Sequence, residues 1–150
     1  MDEIDKYILN LLQEDSKITN LQLSKEINLS PASTLERVRK LEAKEIIQKY
    51  TVKVNEDKLN FQYSFFVYVK LNLSSETILT SFIDSIQEIP EVVEAYQITG
   101  KTNFLLRIIT RDAEEYTKVL LEKLSILKGV DSIYGDLVLK KIKDFNLNIK

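Results

Sequence analysis

Ser30-Pro31-Ala32-Ser33-Thr34-Leu35-Glu36-Arg37-Val38-Arg39-Lys40-Leu41-Glu42 is the stretch on which the fold turns. Ser30 offers a side-chain oxygen to the orphan amides of a helix start. Pro31 follows where a missing N–H costs nothing and a fixed φ helps. Leu35, Val38 and Leu41 recur at helical spacing, which predicts one apolar face. Ser33, Glu36, Arg37 and Lys40 then fall opposite, with Arg39 at the flank. A capped helix with a dry face inward and hydroxyl and guanidinium groups outward can enter a DNA major groove, where Arg and Lys reach guanine edges or phosphates. An ordinary solvated amphipathic helix would show the same periodicity, so the neighbouring segments decide.

Upstream, Ile4, Ile8, Leu11 and Leu12 predict a first helix between Asp2 and Glu14. Thr19 followed by Gln22 reads as a capping box that opens a short second helix, with Leu23 and Ile27 on its inner side. Asn28 stands where the chain must turn sharply, a place suited to a residue that tolerates the left-handed region. Helix, tight turn and capped basic helix make a helix-turn-helix unit. A generic three-helix bundle or a protein-docking module is the competing reading.

Charge agrees with a partner bound through one surface. The chain carries a net charge of −2, yet residues 37–53 hold six bases against Glu42 and Glu45. The 150 residues, 44% of them hydrophobic, suffice for one or two small domains with real cores. Cysteine and histidine are both absent, which removes disulfides, thiolate chemistry and the commonest general base and metal ligand. No paired carboxylate, phosphate loop or metal spacing stands out, so no enzyme activity and no cofactor are expected. The acidic start, Met1-Asp2-Glu3-Ile4-Asp5, is not a signal peptide. No apolar run reaches membrane-spanning length, and the cytoplasm is the expected compartment.

Downstream, Ile47-Gln48-Lys49-Tyr50-Thr51-Val52-Lys53-Val54 alternates and is β-branched, which predicts a strand leaving the helical unit. Residues 55–62 read as a short hinge. Beyond it, residues 66–98 and 104–136 resemble each other at an offset of 38 positions: Phe66 matches Phe104, Phe82 Leu120, Val92 Val130 and Tyr96 Tyr134. Each half predicts strand, helix, turn, strand, with Pro90 and Gly129 closing the two helices. Two such units form a βαββαβ ferredoxin-like sandwich with both helices on one sheet face. Tyr68, Tyr96 and Tyr134 are then left on the other face, which is expected to pair with a second copy. The tail around Lys140-Lys141-Ile142-Lys143-Asp144 is expected to be a solvated end.

These residues resemble the Lrp/AsnC family, the feast/famine transcription regulators. The resemblance runs through Ile4-Asp5-Lys6-Tyr7-Ile8-Leu9, the Leu29–Glu42 stretch, Ile46-Ile47-Gln48-Lys49-Tyr50 and Thr99-Gly100, and covers essentially the whole chain. It implies an α+β protein: an N-terminal three-helix helix-turn-helix domain joined by a hinge strand to a C-terminal βαββαβ (RAM) domain. The expected boundaries are residues 1–50 for DNA binding, 51–61 for the hinge strand and connector, and 62–150 for ligand sensing and oligomerisation. It implies double-stranded DNA as partner, a homodimer assembling to an octamer, and an amino-acid effector bound between dimers. The recognition helix falls on residues 31–42, making Ser30, Pro31, Ser33, Thr34, Glu36, Arg37, Arg39 and Lys40 the expected DNA-contacting residues, with Ser30 and Thr34 near phosphates. The effector residues fall on Thr99, Gly100, Lys101, Asn103, Gly135 and Asp136.

This sequence departs from the family pattern at that pocket. The family's Gly-x-x-Asp reads Gly100-Lys101-Thr102-Asn103, and threonines common in the last strand are replaced by Ile133 and Gly135. An amide can bond an α-ammonium but lacks charge assistance. Lys101 could instead pair with a ligand carboxylate. A different ligand, or no small-molecule response, is the alternative. A ligand-independent architectural protein and an enzyme like the siroheme decarboxylases, which share the architecture, are the competing functions.

Overall fold

The structure, a computed structural model, describes residues 1–73 and 75–150. The chain divides into two compact units, Met1–Val54 together with Ile142–Lys150, and Asn55–Lys141.

The first unit holds α1 (Glu3–Glu14), α2 (Asn20–Glu26) and α3 (Pro31–Ala43). Each helix start has a side-chain cap. Asp2 and Asp5 form a capping box on α1, Thr19 and Gln22 form one on α2, and the Ser30 hydroxyl accepts the Ser33 N–H at 3.1 Å on α3. Such caps contribute about 1 kcal/mol each. Asn28, at φ 54, makes the tight turn before α3. Ile8, Leu9, Leu23, Ile27 and Leu41 form the buried cluster that holds the three helices together.

Two expectations for α3 need correction. Leu35, assigned to the apolar face, is 38% exposed, whereas Thr34 is fully buried. Thr34 can go inside because its hydroxyl returns to the Ser30 carbonyl at 2.9 Å, so no polar atom is orphaned. Residues 47–54 carry no strand either. Alternation prepares a segment for a sheet, but a strand exists only through a ladder, and none pairs with it in this chain.

Residues 140–144 are exposed, as expected of a solvated end, but the residues after them are held. Asn10 donates to the Ile149 carbonyl at 3.1 Å and accepts its N–H at 3.4 Å; Gln13 does the same for Leu147 at 3.0 and 2.9 Å. Two amides one helical turn apart thus grip the backbone of alternate residues, and Ile149 packs against the helical cluster. Lys53 pairs with Asp144 nearby. Deleting residues 145–150 is expected to destabilise the helical unit by about 1–3 kcal/mol, given the net worth of a few part-exposed hydrogen bonds. Hydrogen exchange at α1 amides, faster in the truncated chain, would show it; unchanged exchange would show the contact to be incidental.

The second unit runs β1 (Tyr63–Leu71), α4 (Glu76–Gln87), β2 (Val92–Gln97), β3 (Phe104–Thr110), α5 (Ala113–Lys118) and β4 (Val130–Leu137). A π-helical segment, Val119–Leu124, continues α5. The sheet order is β2-β3-β1-β4, all neighbours antiparallel, the expected βαββαβ architecture. Phe65, Val67, Val69, Phe104, Leu106 and Ile108 point to one face and bury Phe82, Ile86, Val119 and Leu124 of the helical layer against it. Gly129 enters β4 at φ +86, where a Cβ would also run into Ile78, so only glycine suits that turn.

The other face carries two cross-strand rows. One is Tyr96, Leu105, Tyr68 and Tyr134, with the Tyr68 and Tyr134 rings stacked at 4.8 Å. The second is Glu94, Arg107, Phe66 and Asp136. Arg107 is 15% exposed and fully engaged, donating to Glu94 at 3.1 Å, to Glu56 at 3.1 and 3.2 Å and to Ser64 at 3.3 Å. Tyr96 and Tyr134 are each 50% exposed.

Candidate nucleic-acid interface

The setting of α3 within its unit decides which side chains can meet a partner. Thr34 and Leu41 face the core, with Val38 half-buried beside them. Asn20 donates from its side-chain amide to the Pro31 carbonyl at 2.8 Å and so fixes the first turn of α3 to the start of α2. On the other flank, Arg37 donates to Asp2 at 2.8 Å and to Asp5 at 2.7 Å. Its side chain is 29% exposed. The two carboxylates raise the Arg37 pKa further, Asp2 contributing most. The Asp2 carboxyl is lowered, first by the Asp5 backbone amide and then by Arg37.

The expected DNA-contacting residues therefore separate into groups. Ser33, Glu36, Arg39 and Lys40 are all exposed on α3. Lys40 pairs with Glu36 at 2.7 Å, one turn away, in a solvated contact worth little. Arg39 makes no salt bridge among the described residues and projects into solvent. Ser30 and Pro31 lie at the helix start, where the Ser30 hydroxyl is occupied as a cap and also donates to the Ser33 hydroxyl at 2.9 Å. Thr34 is a correction: fully buried and bonded to its own backbone, it cannot reach a phosphate. Arg37 is on the interface edge but held by α1. The acidic pair that holds it, Asp2 and Asp5, was not foreseen, although Asp-x-x-Asp before an apolar run is a legible capping signal.

The expected effector residues are likewise divided. Thr99, Gly100 and Lys101 lie exposed in the β2–β3 turn, with Gly100 at φ +122. Asn103 serves the sheet: its side-chain oxygen accepts the Leu71 N–H at 2.7 Å, its N–H donates to the Val69 carbonyl and its own carbonyl accepts from Ile98, both at 2.9 Å. Gly135 and Asp136 sit opposite Val67 and Phe66 on β4. They are about 10 Å along β1 from Asn103, on its opposite side. One chain does not bring the two groups together, and the expected site lies between dimers rather than within a protomer. Gly135 faces the helical layer, where a Cβ would meet the Tyr116 hydroxyl.

With this geometry in hand, the chain can be set beside known proteins. A model described as winged helix-turn-helix DNA-binding matches residues 1–48, and one described as the Lrp/AsnC ligand binding domain matches residues 64–147. The leucine-responsive regulatory protein of Klebsiella pneumoniae is 36% identical over 146 residues, covering 97% of this chain and 89% of that protein. Among solved structures, a transcriptional regulator of Neisseria meningitidis in complex with L-Met superposes with a TM-score of 0.93 at 30% identity, covering 96% of this chain and 93% of the other. An AsnC family transcriptional regulator of Agrobacterium tumefaciens gives 0.90 at 28%, covering 96% and 94%.

Proposed function

The chain belongs to the Lrp/AsnC family of DNA-binding transcriptional regulators, and from that premise we propose that α3 is its recognition helix and that it grips duplex DNA as a homodimer. The observation that carries this reading is the rotational setting of α3. Capped by Ser30 and held by Thr34 and Leu41, it turns Ser33, Glu36, Arg39 and Lys40 to solvent. Arg39 and Lys40 supply phosphate or purine contacts, and Ser30 and Pro31 lie at the helix start close to the backbone. Arg37 acts as a positioning residue, fastening the recognition helix to the start of α1.

The second unit is a ligand-binding domain, and we propose an amino acid as its effector. The Neisseria regulator, by its description, was solved with L-Met. Lys101 is exposed and suited to a ligand carboxylate, while Asn103 can offer only its amide N–H groups, its oxygen being used by β1. With the two groups of effector residues apart in one chain, a site using both needs more than one protomer. That fits dimers assembling to an octamer with the effector between them. Among the described residues no helix is long and apolar enough to cross a membrane, and the cytoplasm, where the DNA lies, is the proposed compartment.

Gel-shift titrations against fragments of the protein's own promoter region test the DNA reading. Lys40→Ala is expected to weaken binding evenly across sequences and to lower the salt slope by about 1. Arg37→Ala is expected to cost stability of the helical unit as well as affinity. An unchanged slope for Lys40→Ala would sink the assignment of α3. Light scattering with each amino acid in turn tests the effector, since no change in mass with any of them argues for a ligand-independent protein.

A further inference from the structure

We propose that Leu35, with Ala32 beside it, reads the 5-methyl group of a thymine in the DNA major groove. The inference rests on α3 being the recognition helix and adds the specificity that the charged residues do not supply.

At about 100° per residue, Thr34, Val38 and Leu41 define the buried direction of α3. The opposite side is Ala32, Glu36, Arg39 and Ala43. Arg37, clamped to Asp2 and Asp5, marks the flank next to α1. Leu35 lies on the other flank, about 160° from Arg37, and so points away from the α1 start. It is 38% exposed, a large apolar side chain on a surface whose neighbours one turn away are Ala32 and the charged Arg39.

A lone exposed leucine is ordinary on a protein surface. This one sits in the first half of α3, and the N-terminal residues of a recognition helix are those that meet base edges. The thymine methyl is the one apolar group that the major groove presents. Leucine can neither donate nor accept a hydrogen bond, so in that groove its favourable contact is with this methyl. Ala32, one turn before it and also exposed, leaves room for the base edge to approach. Arg39, one turn after it on the same side, then falls on a neighbouring base or phosphate.

The test uses the full chain. Duplexes are selected from a random library, and each thymine of the selected half-site is replaced in turn by deoxyuridine, which removes the methyl and leaves the pairing edge intact. The parent is expected to lose roughly three- to tenfold in affinity at one position of each half-site, the worth of burying one methyl. Leu35→Ala is expected to bind the thymine and uracil duplexes equally at that position, while Arg39→Ala keeps the difference. Equal nonspecific binding of Leu35→Ala and parent at low salt confirms that the variant is folded. Indifference of the parent to every uracil, or a difference retained in Leu35→Ala, overturns the assignment of Leu35 alone. Failure to select any duplex overturns the DNA reading and this inference with it.

Discussion

Gly135→Ala is expected to melt well below the parent, and adding Tyr116→Phe is expected to restore most of the loss. Gly135 lies in β4 opposite Val67 and faces the helical layer. Its φ is not among the positive values, so the cost of a side chain there is steric rather than conformational. A Cβ would run into the Tyr116 hydroxyl and come within 3.2 Å of a Val67 methyl. Tyr116 cannot move aside freely, because its ring stacks on Phe65 with centroids 3.5 Å apart. Burial, and then the Asp136 charge, raise the Tyr116 pKa and keep the hydroxyl neutral. Overpacking of this kind costs about 1–3 kcal/mol. In a domain of this size that is roughly 5–15 °C in melting temperature. Removing the hydroxyl leaves the ring carbon at 3.4 Å, an ordinary contact, which is why Tyr116→Phe rescues. Calorimetry of the three variants decides it. A single variant that melts with the parent, or a double variant as unstable as the single, would show that the helix-to-sheet packing here is loose. A threonine at 135 would meet the same obstacle, because Tyr116 occupies the space it would need.

Several features of this fold are legible in the chain because they are local. Ser30-Pro31, Thr19 with Gln22, Asn28 and Gly129 each announce a backbone event through the chemistry of one or two residues, and the structure places a cap or a positive φ at each. The repeat at an offset of 38 positions matches faces in the helices and between β2 and β4, but between β1 and β3 it pairs Phe66 of the outer face with Phe104 of the core face, so the match there is one residue longer. The misses involve partners distant in sequence, or polar groups that satisfy themselves. Arg37 reads as an outward base from periodicity, and nothing nearby reveals that Asp2 and Asp5 return to claim it. Thr34 reads as polar and Leu35 as apolar, yet the threonine is inside because its hydroxyl bonds the preceding turn. Residues 140–144 read as charged and solvated and are exposed, but the residues after them are anchored through backbone groups, invisible in side-chain patterns. Residues 47–54 show the reverse error: strand-like chemistry without a neighbour to make a strand.

Substituting both Tyr68 and Tyr134 by Arg is expected to leave the second unit folded and to convert the proposed homodimer into monomers. Both side chains stand on the sheet face away from the helices, so neither contributes to the core of its own unit. Their rings stack on each other at 4.8 Å and extend a row through Leu105 to Tyr96, of which Tyr96 and Tyr134 are half exposed. Aromatic rows of this kind lose most from a neighbouring surface of water and gain most from a matching apolar surface. Central interface tyrosines commonly carry 2 kcal/mol or more each, and each is lost on both copies, so the substitutions should shift the dimer dissociation constant by at least about a thousandfold. The charge also matters. Arg107 in the adjacent row is already satisfied by Glu56 and Glu94, so of that row only Asp136 is left to meet the two guanidinium groups added to each copy. Light scattering reads the mass directly, and far-ultraviolet circular dichroism confirms that the sheet survives. A variant that keeps the parent's mass would place the self-pairing surface elsewhere. The DNA readout then tests the coupling between the two units. A dimer engages its second half-site at a high effective concentration, so the monomeric variant should lose a hundredfold or more on a two-half-site duplex. On a single half-site it should bind as the parent does, because the helix that meets the groove is untouched.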